Sequence, residues 1–185
     1  MTSAGRNSVA EAAVPKEVML FCSVLYNTRA PVEDGLASLE QHFGQSIFSG
    51  DPLPFPFTTY YEPEMGAPLS RRMIAFRRLV PRDALPRIKH IAMSIEDTFR
   101  ERGNRTMNLD PGILSMENIC LATTKPYSHR IYLADGIWAE ITLMYRNQSY
   151  TPLEWTYPDY ASREMIEMFN TIREHYKRTL QCHEA

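Results

Sequence analysis

The sequence predicts an α+β fold: one domain in which a mixed, largely antiparallel sheet carries three main helices. Two observations lead there. Two strand-to-helix units open the chain, and a run of strands closed by one long amphipathic helix follows them. The composition fits, with 44% hydrophobic and 23% charged residues across 185 positions, enough for one substantial core. The domain is expected over residues 16–181, with residues 1–15, small and polar, as a disordered tail.

The first strand is "EVMLFCSVLY", apolar at both parities, as a strand covered on both faces must be. Pro31 opens a helix where a missing N–H costs nothing, Val32, Leu36, Leu39 and Phe43 recur at helical spacing, and Gly44 ends it. "SGDPLPFPFTTYYEPEMGAP" is too proline-rich for an interior strand and predicts a long loop of functional interest. "SRRMIAFRRLV" is a strand, with Arg71 and Arg77 on one face and Arg72 and Arg78 on the other. A helix follows, with Asp83 as its cap and Leu85, Ile88, Ile91, Ala92, Ile95 and Phe99 as its buried stripe.

"TMNLDPGILS" is expected to turn at Asp110-Pro111-Gly112, and "NICLATT" is another strand. "HRIYLADGIWAEITLMYR" predicts a hairpin around a two-residue type I′ turn at Asp135-Gly136. That register places Ile131 opposite Glu140 and leaves His129 a diagonal neighbour of Glu140, with Arg130 on the other face. The last helix is "SREMIEMFNTIREHYKRTL", capped by Ser162 and buried through Ile166, Phe169, Ile172, Tyr176 and Leu180.

Several function classes fall away. A net charge of −2 disfavours general nucleic-acid binding. Three widely spaced cysteines without a CxxC suggest neither a disulfide framework nor a zinc site, and a cytoplasmic location is expected. No phosphate-binding GxxxxGK[ST] or GxGxxG stretch occurs, no GxSxG nucleophile elbow and no HExxH, so no metal or particular cofactor is specified.

The densest chemistry lies in "TTKPYSHR", residues 123–130. Lys125, Ser128 and Arg130 are donors suited to a phosphate or carboxylate, although a solvated turn explains the same residues. His129 with Glu140 is the candidate acid–base pair, although a structural ion pair is the commoner meaning of such a contact. Arg71 and Arg72 are further anion donors, unless the arginine pairs simply blunt strand ends. Tyr60, Tyr61 and Trp155 are candidate aromatic walls.

The run "MNLDPGILSMENICLATTKPYSHRIYLADGIWAEITLMYR", then "WTYPDY", together with "FPFTTYYEPEMG" and "RRMIAF", resembles a bacterial family catalogued as domain of unknown function 4416. The resemblance runs from Lys16 to about Leu180. It implies no activity or catalytic residue. A GTP-binding label carried by some members implies at most a nucleotide ligand, since the guanine-reading NKxD is absent here. The expectation is a pocket for an anionic small molecule, a nucleotide or phosphorylated metabolite. The rival is an interaction module using the aromatic loops and the C-terminal helix, with RNA binding through the arginine strand a weaker third. The residues specify no reaction, partner chain or oligomeric state.

Overall fold

A computed structural model describes residues 12–184, so the expected tail lies largely outside the described residues. The strands are β1 (Val18–Asn27), β2 (Ser46–Ser49), β3 (Leu53–Pro54), β4 (Leu69–Val80), β5 (Met107–Leu114), β6 (Asn118–Thr123), β7 (Ile131–Ala134), β8 (Ile137–Arg146) and β9 (Ser149–Pro152). The helices are α1 (Val32–Phe43), the single turn α2 (Glu62–Met65), α3 (Leu85–Thr98) and α4 (Arg163–Glu184). The fold is α+β, and every described strand pairing is antiparallel rather than mixed. The main path runs β2-β4-β1-β5-β6-β8-β7, with β3 on β4 and β9 on β8.

β1 is buried along its entire length because both of its faces are covered. On one face Leu20, Cys22 and Val24 meet Leu36 and Leu39 of α1 and Ile88 and Ala92 of α3. On the other, Met19 and Phe21 meet Phe169, Ile172 and Tyr176 of α4. α4 starts as expected, with Ser162 Oγ accepting the Met165 amide at 3.3 Å, and Met165 joins the buried stripe while Ile166 is only half-buried. α3 starts differently. A 3-10 turn at Arg82–Ala84 leads into it, and Asp83 caps nothing. The backbone carries the chain into the helix, so no side-chain cap is needed.

Two further expectations fail. Asp110-Pro111-Gly112 is no turn but the middle of β5, paired with β1 through Cys22↔Pro111 and Phe21↔Gly112. Gly112 is glycine for another reason: a Cβ there would stand 2.4 Å from the Phe21 ring and 2.7 Å from the Cys120 carbonyl oxygen. The hairpin turn is right, with Asp135 and Gly136 both at positive φ. Its register is not. Ala134 pairs with Ile137 and Tyr132 with Trp138, a bulge intervenes at Leu133, and Ile131 meets Ala139 rather than Glu140. The bulge adds one residue, which exchanges the faces of everything before it.

Candidate functional site

The site begins with a break in the sheet. β5 is bonded to β1 throughout, but to β6 only over Gly112–Leu114. Upstream of Gly112, β6 leaves, and one edge of β5 is exposed inside the molecule. The sequence prepares that edge. Within a strand, the N–H and C=O of one residue point the same way, as do those two positions on. Leu109 aims both groups into the gap, and Pro111 shares its direction but has no N–H to strand there. α3 supplies what β6 does not. Glu96 accepts the Leu109 amide at 2.6 Å, and Lys89 Nζ donates to the Leu109 carbonyl at 2.9 Å. Both side chains are buried.

The parted strands bound a cavity of about 630 Å³, lined from both faces of the sheet. Its polar side is one continuous network. Glu64 of α2 grips Arg105 with both oxygens, at 2.9 and 2.8 Å, fastening the long loop to the rest of the domain. Arg105 donates to Asn108 at 2.7 Å, Asn108 donates to Asp110 at 2.7 Å, and Lys89 lies 3.1 Å from Asp110. Burial opposes the Asp110 carboxylate, yet Lys89 and Arg71, with the hydrogen bonds of Lys89 and Asn108, outweigh it and hold its pKa below the ordinary value. Glu96 goes the other way. Burial dominates there and raises its pKa despite Lys89 and the Leu109 amide.

The aromatic side consists of Phe55, Phe57, Tyr60, Tyr61, Tyr127, Tyr157 and Tyr160. The Arg71 guanidinium lies between two of these rings, 4.6 Å from the Phe55 centroid and 5.1 Å from that of Tyr160, and it is ion-paired with Asp159. Burial pushes the Tyr61 and Tyr160 hydroxyls up to about 12, so both are neutral donors near pH 7. A smaller cavity of about 280 Å³ shares Phe55, Phe57, Arg71 and Asp159 with the larger one.

Of the residues singled out in the sequence, Tyr60, Tyr61, Arg71, Lys125, Arg130 and Glu140 line the cavity. Residues 124–130 stay irregular between the end of β6 at Thr123 and the start of β7 at Ile131, which lets Lys125 and Arg130 face the same space. Arg130 is spoken for. Its Nε donates to Glu140 at 2.8 Å, its Nη1 to the Lys125 carbonyl at 2.9 Å and its Nη2 to Tyr157 at 3.4 Å, with Tyr127 stacked 4.4 Å away. This arginine shapes the loop that presents Lys125. Lys125 itself rests 4.5 Å above the Tyr60 ring and has no carboxylate partner among the described residues.

His129 does reach Glu140, at 2.9 Å, although the register that suggested the pair is wrong. It stands outside the cavity lining, stacked 5.3 Å from Trp155, whose indole donates to the Ile141 carbonyl. Trp155 and Ser128 also lie outside the lining, and Arg72 is on the opposite face, bonded to Glu33 and Ser49. Arg71 is buried rather than blunting a strand end, because β4 lies between β1 and the strands β2 and β3. Among the described residues no group of His, Cys, Asp and Glu is arranged to hold a metal ion, and no helix is long and apolar enough to cross a membrane.

Sequence reasoning missed Lys89, Glu96, Arg105, Asp110 and Asp159. A signal existed for the first two. Lys89 and Glu96 interrupt the apolar stripe of α3 four residues after Leu85 and Ala92, and a charge on a buried face needs a partner.

A protein-family comparison matches residues 16–176 to a family described as Domain of unknown function (DUF4416). No curated protein and no solved structure matches the chain.

Proposed function

The chain belongs to that family of unknown function, whose description brings no activity with it, and on the geometry of its cavity we propose that it binds an anionic small molecule carrying a ring. One observation supports this above the rest. A cavity of about 630 Å³, within the size range of small-molecule sites, is walled by tyrosines and bears at Lys125 a cation with no carboxylate to neutralise it. Tyr60 and Tyr61 offer ring faces for stacking, and Arg130 fixes the Lys125 loop through its backbone carbonyl. A nucleotide or a phosphorylated metabolite fits this description. His129 acts on the site through Glu140, as a positioning residue.

The test is a thermal-shift panel of ribonucleosides, their 5′-phosphates and sugar phosphates, because a ligand selective for the native state raises its apparent stability. At least one phosphorylated compound is expected to raise the melting temperature, and Lys125→Ala is expected to lose most of that shift. A panel without any shift, or an equal shift in the variant, overturns the proposal.

A further inference from the structure

We propose, resting on the reading above, that the ligand carries a single anionic group, held at Lys125, on a ring that lies among the tyrosines of the cavity. The class is a monophosphate ester of a ring compound, and di- and triphosphates are excluded.

The charge inventory supports this. The carboxylates of the lining are Glu96, Asp97, Asp110, Glu140 and Asp159. Each already has a cation: Arg105 at 3.5 Å, Arg100 at 2.7 Å, Lys89 at 3.1 Å, Arg130 at 2.8 Å, and Arg71 for Asp159. Arg105 is held by Glu64 as well. Lys125 is the lining cation without a carboxylate partner among the described residues. A buried cation whose charge is answered can still hydrogen-bond, but it does not compensate a second anion. One anionic group of the ligand is therefore answered at Lys125. Each added phosphate would enter beside paired carboxylates with nothing to offset it, and desolvation would oppose it.

Binding of the four ribonucleosides and their 5′-mono-, di- and triphosphates, measured by calorimetry in magnesium-free buffer, tests this. At least one monophosphate is expected to bind about tenfold or more tightly than its nucleoside and its triphosphate, the worth of one charge-assisted hydrogen bond. Lys125→Ala should abolish the preference over the nucleoside. Di- or triphosphates that bind as tightly as the monophosphate overturn the single-charge inference and leave the pocket reading standing. No binding by any compound overturns both the inference and the reading beneath it.

Discussion

The two edges of β5 solve the same problem in opposite ways. Toward β1 the strand is paired along its whole length, and the side chains of β1 pack into apolar layers on both faces. Toward β6 the pairing ends at Gly112, and the edge is satisfied by Lys89 and Glu96 of α3 instead of by a strand. The ladder edge is closed and unspecific, since any extended backbone would serve. The open edge requires particular side chains at particular positions, and it leaves a cavity. A sheet acquires a cavity here by replacing hydrogen bonds of the backbone with hydrogen bonds of side chains.

The comparison breaks most severely at the open edge. Lys89→Met removes the ion-pair partner of Asp110 and the donor to the Leu109 carbonyl, leaving that buried oxygen unpaired and the carboxylate with only Asn108 and the charge of Arg71. Urea unfolding should show a loss of about 3–5 kcal/mol. A loss under about 1 kcal/mol, the scale of an exposed pair, would mean that α3 does not hold this edge.

Lys125→Ala separates function from stability at the same edge. Its side chain packs on Tyr60 at the surface, so the unfolding free energy should change by less than about 0.5 kcal/mol. Affinity for the tightest monophosphate should fall by about 1.5–3 kcal/mol. Equal losses in stability and binding would mark it as a structural lysine.

Gly112→Ala probes the point where the closed edge meets the last rung of the β6 ladder. The new methyl meets the Phe21 ring and the Cys120 carbonyl, and overpacking should cost about 1–3 kcal/mol while the folded variant still prefers monophosphates. Loss of that preference would show that the two edges are not independent.

The smallest effect concerns acid. Hydrogen bonds from Arg105, against some burial, hold the Glu64 pKa below its ordinary 4.5. A depressed folded pKa contributes stability above the unfolded value that disappears as pH falls through the folded one. Glu64→Gln should therefore lose less stability than wild type on going from about pH 5 to about pH 3. Identical slopes would remove this clamp from the account.

Much of the closed region was legible from the sequence. β1 reads as a doubly covered strand because its apolar run has no parity, and α1, α3 and α4 read as helices because their apolar residues recur on one face. The open region was legible only in part. Asp-Pro-Gly carries a strong turn signal, but the same residues serve a strand that must lose a donor on one edge and admit a ring at close range on the other face. The Leu133 bulge leaves no mark in the alternation, so the hairpin was right at its turn and wrong one residue beyond it. Lys125, Arg130 and Glu140 were found because polar residues cluster there. Arg105 and Asp159 were not, because their partners Glu64 and Arg71 are distant in sequence and joined only by folding.

The parted strands β5 and β6 are the proposed binding site. Amide chemical shifts followed by NMR during titration with the tightest monophosphate test it most directly. Shifts are expected at Asn108 and Asp110, at Ala122 through Lys125, and at Tyr60 and Tyr61, all around the cavity. Shifts confined to β7 and the outer face of α4, with those amides unmoved, would contradict it and favour a surface that docks a partner.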